Sequence, residues 1–352
     1  MGAVASLALR PGYDISRIIF GGWQLAGGHG AVDPAAAVDD LAAFSEAGIF
    51  TFDCADIYTG VEELIGAMRA EIGRRHGAAA QMRTKVHTKC VPDLERLHEV
   101  SRPFIRSIID RSLRRLRTER LDLVQFHWWD YAVPGYVEAA GWLFELQRQG
   151  KIDRLGGTNF DTPRTAELVA AGIDLVSMQV QYSLLDDRPE HLLSEYCRAH
   201  EIHLLCYGTV AGGFLSDRWL GVSEPEPPFA NRSLTKYKLI IDDFGGWAPF
   251  QDLLKVLRQV ADRHGSDIAS VASRAILDRP AVAAVIVGAR NRAHLAANAA
   301  ITSLALTRAD HQEIEKVLTQ RRGPLGDTFT LERDRMGRHG SIMKYNLNGI
   351  AS

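Results

Sequence analysis

Asp53 and Tyr58 stand close together in Thr51-Phe52-Asp53-Cys54-Ala55-Asp56-Ile57-Tyr58. Further on come Lys89, closing His87-Thr88-Lys89, and His127, opening His127-Trp128-Trp129. A carboxylate, a phenol, an ammonium and an imidazole can together manage a proton on a reacting oxygen. Hydride addition to a C=O leaves an alkoxide, which needs an acid within hydrogen-bond reach as it forms. A tyrosine, with an ordinary pKa of about 10, serves if that value is brought toward the working pH. A nearby ammonium favours the phenolate and lowers the pKa, and a carboxylate holds the ammonium in place and charged. A histidine can orient the oxygen and stabilise developing charge. Taken singly, each residue is more often a satisfied structural group than a catalyst, so the elements that present them decide the matter.

Short β-rich runs alternate with amphipathic helical stretches along the chain. The runs fall at 18–20, 49–54, 81–89, 121–127, 152–158, 175–180, 202–207 and 282–287. Helical patterns occupy 34–47, 61–70, 103–116, 136–149, 163–171, 189–200, 251–264 and 268–277, with further helices expected over 293–300 and 310–318. Asp33 reads as the N-cap of the first helix, with Pro34 in its first turn; Gly48, Gly150 and Gly172 read as helix stops. Strands alternating with helices imply a parallel sheet. Eight strands favour closure into a (β/α)8 TIM barrel over an open doubly wound sheet. The 352 residues exceed the roughly 250 a barrel needs, and 46% hydrophobic composition supplies a large core. The expectation is a single domain, with the barrel over 15–303 and a C-terminal helix and tail over 304–352.

In such a barrel the site is built at the C-terminal ends of the strands. The proposed strand ends carry Asp53 to Tyr58, His87 to Lys89, His127 to Trp129, Thr158-Asn159, Gln179 and Tyr207. Successive strands thus deliver polar groups to one rim. Lys85 and Lys89 are both possible partners for Asp53, and alternation puts them on the same face. The strand-end rule favours Lys89, leaving Lys85 solvated or in an ion pair at the opposite end. The stretch 208–248, with Pro225, Pro227 and Pro228, reads as a long loop. The tail after Gln320 shows no period. Gly21-Gly22 and Gly27-Gly28 flank Trp23, but no Lys-Ser or Lys-Thr follows and the spacing is not GxGxxG, so a flexible rim loop is the reading.

These segments resemble the aldo-keto reductase family over most of 15–300. Asp53 and Tyr58 match its catalytic tetrad, His127 its tetrad histidine, and the Thr88-Lys89 pair its tetrad lysine. The resemblance implies an NADP(H)-dependent oxidoreductase acting between an aldehyde or ketone and the alcohol, with Tyr58 as general acid and base. It places the nicotinamide carboxamide at Thr158, Asn159 and Gln179, and its ring against Tyr207. Gly22, Trp23 and Gly208 join the cofactor site, as do Gly288, Arg290, His294 and Asn298 at the adenosine end. Many members carry a Lys where Gly288 stands and a Glu where Ala297 stands. Arg290 is the clear cation there, and a guanidinium suits a 2′-phosphate, so NADP(H) is preferred and NAD(H) possible. His294 stacks on adenine or is a surface residue; Asn298 contacts adenine or caps a helix.

Trp23, Trp128 and Trp129 form a candidate substrate wall suited to an apolar or ring-faced ligand, with one of the adjacent pair expected in the core. The Arg111–Arg120 cluster reads as a solvated helix face, and Cys54 and Cys206 as inert buried thiols. No metal is expected: none of the four cysteines forms a CxxC pair. A net charge of -2 argues against nucleic-acid or membrane partners. With no signal-like start or membrane-length apolar run, the expected location is cytoplasmic. The alternative is a cofactor-binding regulatory subunit similar to the β subunits of potassium channels; a phosphosugar isomerase barrel is the third reading.

Overall fold

The computed structural model describes residues 4–27, 30 and 32–348; Gly28 lies outside them. Strands β1 (Ser6–Arg10) and β2 (Tyr13–Ser16) form an antiparallel hairpin. Eight parallel strands then close a barrel: β3 (Ile18–Gly21), β4 (Thr51–Asp53), β5 (Lys85–Cys90), β6 (Leu121–Phe126), β7 (Ile152–Thr158), β8 (Leu175–Gln181), β9 (His203–Tyr207) and β10 (Val282–Gly288), with β10 paired to β3. This is the single-domain (β/α)8 TIM barrel expected from the alternation.

Local signals placed many helices. Asp33 accepts hydrogen bonds from the backbone N–H groups of Ala35 and Ala36, starting the helix Pro34–Glu46. Asp161 and Asp267 cap Thr162–Ala170 and Ile268–Leu277 in the same way. The apolar faces of these helices pack on the outside of the strands in one large cluster. A second cluster fills the barrel's interior at the N-terminal end of the strands, where Leu9, Tyr13 and Ile15 of the hairpin meet Ile19, Leu123 and Leu205. The hairpin, which the sequence reading did not anticipate, therefore plugs the bottom and leaves the opposite end as the mouth.

Three expectations need correction. Residues 81–83 belong to the helix Ala78–Arg83, and the strand begins only at Lys85; Ala78-Ala79-Ala80-Gln81-Met82 are strong helix formers. The stretch 208–248 is not one loop: Arg232–Phe244 is a helix capped by the Asn231 side chain. It buries Tyr237, Ile240, Ile241 and Phe244 at helical spacing. The 189–200 helix is two short ones, Arg188–His191 and Leu193–Ala199. The tail crosses the mouth from the β8 side, where Arg321 donates to the Leu184 carbonyl, to the β5 side, where Asn348 binds Asp93.

Candidate functional site

Asp53 ends β4 inside the mouth and gathers three side-chain donors. Lys89 Nζ donates to Oδ2 at 2.7 Å, Gln125 Nε2 to Oδ1 at 2.9 Å and Gln179 Nε2 to Oδ1 at 2.5 Å. Lys89 also donates to the Cys54 carbonyl at 2.7 Å. Burial opposes the Lys89 charge, but Asp53 and Tyr58 outweigh it and raise its pKa. Lys85 sits at the other end of β5, 4.0 Å from Asp122, and donates to the Met82 carbonyl. Strand position thus separates two lysines that alternation alone leaves equivalent.

Tyr58 lies just past β4, its ring 5.2 Å from Lys89 Nζ and 5.0 Å from the Trp23 ring. Gly22, just before Trp23, lies tight against the end of β4 and the helix after it: a Cβ there would meet Val61 Cγ1 at 2.8 Å and the Asp53 carbonyl oxygen at 2.9 Å. The pKa of Tyr58 moves upward, contrary to expectation. Burial raises it, and the lowering by Lys89 only partly offsets that. The loop carrying Tyr58 is tied from below. Arg115 donates to the Asp56 carbonyl at 2.9 Å and pairs with buried Glu62, while Arg111 reaches buried Asp56 at 3.4 Å. These two arginines are therefore not a solvated face; buried carboxylates draw them inward.

His127 is buried, and its Nδ1–H donates to the Thr158 carbonyl oxygen at 3.0 Å. Burial, then Arg333, push its pKa down to about 3. The imidazole is therefore neutral, and with Nδ1 protonated its Nε2 presents a lone pair. Nε2 is buried with no partner in the described structure, as is Trp129 Nε1, whose ring lies 4.3 Å away. Trp128 does not line the mouth: it is fully buried, and Nε1 donates to the Asp130 and Val133 carbonyls. Cys54 and Cys206 are buried, and burial pushes both thiols up.

Thr158, Asn159, Gln179 and Tyr207 come together at the ends of β7, β8 and β9. Tyr207 donates to Asn159 Oδ1 at 2.9 Å, and Asn159 has φ 61°, in the left-handed region. Thr158 donates to Gln179 Oε1 at 3.4 Å, so the Gln179 amide is engaged at both ends. Gly208 has φ 81° and abuts the Tyr237 hydroxyl, leaving no room for a side chain. At the end of β10, exposed Gly288 makes room for Gln24, whose buried Oε1 has no partner among the described residues; Asn298 Nδ2 is also buried and without a partner among them. Exposed Arg290 has Nη2 2.8 Å from where a Cβ of Gly30 would stand, and His294 is exposed. Unsatisfied polar atoms, glycine-cleared space and an exposed guanidinium along one rim fit a polar dinucleotide.

The sequence reading missed the roof. Phe329, from the tail, sits edge-on to His127 at 5.7 Å and beside Trp129 at 6.4 Å. Arg333 donates to the carbonyls of Asn159 at 3.0 Å and Trp128 at 2.8 Å. Glu332 is fully buried against Arg188, which also pairs with Asp186. Tyr345 packs on Trp129 at 5.2 Å. Two aromatics, Phe329 and Tyr345, and the Glu332-Arg333 pair in an aperiodic tail were the sequence signal.

A closed parallel barrel with a carboxylate, lysine, tyrosine and histidine converging at its mouth defines an oxidoreductase-type site. Residues 17–319 match the Aldo/keto reductase family, and the chain belongs to it. The family works with NAD(P)H. The chain is 28% identical to an aldo-keto reductase of Bacillus subtilis, over 90% of this chain and 95% of that one. It is 25% identical to the NADH-specific methylglyoxal reductase of Escherichia coli, over 84% and 92%. Its fold matches a glycerol dehydrogenase of Gluconobacter oxydans with a TM-score of 0.76 at 24% identity, covering 94% of this chain and all of the other. No helix among the described residues is long and apolar enough to cross a membrane.

Proposed function

We propose that this chain catalyses hydride transfer between NADP(H) and an aldehyde or ketone, or the corresponding alcohol, with Tyr58 as general acid and base. The observation that carries the reading is the buried Asp53–Lys89 pair at 2.7 Å, with Lys89 Nζ 5.2 Å from the Tyr58 ring. Thr158, Asn159 and Gln179, with Tyr207 beside them, would hold the nicotinamide, which would supply or take the hydride there. Tyr58 gives its proton to the carbonyl oxygen, leaving a phenolate that Lys89 stabilises. Asp53 and the Cys54 carbonyl hold the ammonium against movement. Neutral His127 bounds the same pocket and so keeps the reacting oxygen beside Tyr58. In oxidation the phenolate takes that proton back.

Arg290 supports NADP(H): it is exposed and has no carboxylate partner among the described residues, the condition under which a guanidinium serves a phosphate. The E. coli relative is named for NADH, so NAD(H) is the alternative to measure. Fluorescence titration with NADPH and NADH, followed by turnover across a carbonyl panel, tests the reading. Tyr58→Phe is expected to lower kcat by about 10²–10⁴-fold while the dinucleotide still binds. Full activity in that variant refutes the assignment.

A further inference from the structure

Lys236 lies on the helix Arg232–Phe244, half-buried over the mouth. Its Nζ stands 5.3 Å from the Tyr207 ring, 5.6 Å from that of Tyr237 and 5.9 Å from that of Phe329. Among the described residues no carboxylate oxygen lies within 4.0 Å of it. Two positions along the same helix, Lys238 pairs with Glu224 at 2.7 Å and with Asp242 at 2.5 Å. The carboxylates whose charges reach Lys236, Asp186 and Glu332, are both engaged by Arg188, and Asp186 also accepts from Gln181. Burial lowers the Lys236 pKa. An ammonium among rings is attracted to their faces, yet its desolvation is costly without an anion.

The surroundings identify where that anion comes from. Phe329 packs against His127 on one side and Lys236 on another. The mouth therefore has an oxygen-handling end, with Tyr58 and the unpartnered Nε2 of His127, and a cationic end at Lys236, with Phe329 neighbouring both His127 and Lys236.

We infer that Lys236 determines specificity by receiving an anionic oxygen group, a carboxylate or a phosphate, on a carbonyl or alcohol substrate whose reacting oxygen lies at Tyr58 and His127. This rests on the reductase reading above. It predicts that charged substrates are selected over neutral ones of the same shape, through KM.

The test compares the unaltered protein with Lys236→Met and Lys236→Arg on matched pairs: 4-carboxybenzaldehyde against benzaldehyde, and glyceraldehyde 3-phosphate against glyceraldehyde. For Met, the charged-to-neutral ratio of kcat/KM is expected to fall about tenfold or more in at least one pair, with the loss in KM; Arg restores most of it. The pair affected distinguishes carboxylate from phosphate. Dinucleotide Kd and thermal midpoint are measured alongside. An unchanged ratio overturns the inference, whether the variant is merely less stable or binds dinucleotide more weakly; the latter would assign Lys236 to the cofactor's phosphates. If the unaltered protein reduces no aldehyde, the reductase reading fails separately. Equilibrium binding of 4-carboxybenzyl alcohol against benzyl alcohol, and of glycerol 3-phosphate against glycerol, to dinucleotide-saturated protein then decides. Charge-selective binding lost in Met supports the anion site, and equal binding overturns it.

Discussion

Asp53 draws its donors from β5, β6 and β8, within the barrel wall, whereas Phe329, Glu332 and Arg333 reach the same mouth from beyond the last barrel strand. The floor is held by the parallel sheet itself, whose backbone ladder sets each side chain's depth. The roof is held by a few long-range side-chain bonds, chiefly Glu332 on Arg188 and Arg333 on two carbonyls. Chemistry that tolerates little misplacement sits on the rigid part. Contacts with the rest of a ligand fall to the part that can vary without disturbing the barrel.

Changing the floor is expected to have the largest effect. Lys89→Met should lower kcat for reduction by about 10²–10⁴-fold with dinucleotide Kd little changed, as stopped-flow and fluorescence titration would show. The pH profile sharpens the point. Because the Tyr58 pKa lies above its ordinary 10.0, the proton needed for reduction is present throughout the neutral range and is lost only in strong alkali. Reduction in the unaltered protein should therefore be insensitive to pH near neutrality, while oxidation should rise as the solution becomes more alkaline. A fall of reduction between pH 6 and 8, within the usual span of histidine titration, would contradict this assignment.

The roof should respond in stability first. Glu332→Gln leaves the buried Arg188 with less compensation, and breaking such a pair costs about 3–5 kcal/mol, measurable by denaturant unfolding. Arg188 holds the Glu332 pKa down to about 2 against burial, from an ordinary 4.5. That stabilisation is fully present above 4.5 and is lost as pH falls toward about 2. Acid should loosen the roof over that window, followed by the fluorescence of Trp129 beneath it, and Glu332→Gln should weaken this response. The smallest effect belongs to Lys85→Met, expected within about 0.5 kcal/mol and without loss of turnover. A large kinetic defect there would place the reacting lysine at the wrong end of β5.

Much of the floor was legible. Asp33, Asp161 and Asp267 are local capping signals, and strand ends could be placed because helix and strand periods differ. The order Asp53, Tyr58, Lys89, His127, Thr158, Gln179, Tyr207 followed from reading those ends in turn. Boundaries were less secure where composition pulled both ways, as at 81–89, where a run of alanines precedes the strand. The helix at 232–244 was hidden by the prolines before it and the Gly245-Gly246 pair after it, although Asn231 and the spacing of Tyr237, Ile240, Ile241 and Phe244 were there to be read. Trp128 and Trp129 are adjacent and alike in type; which one faces the mouth depends on the loop after β6.

The sequence by itself determined a parallel barrel and the residues presented at its rim, because alternation, caps and strand ends are local patterns. Tertiary structure alone decided the rest. It gave Asp53 the unanticipated Gln125, turned Arg111 and Arg115 inward, and moved the Tyr58 pKa up instead of down. It joined Glu332 to Arg188 across 144 residues of chain and left Lys236 among the rings of the mouth with no carboxylate partner among the described residues. Burial and charge pairing depend on distances between remote segments, and those distances exist only once the chain has closed on itself.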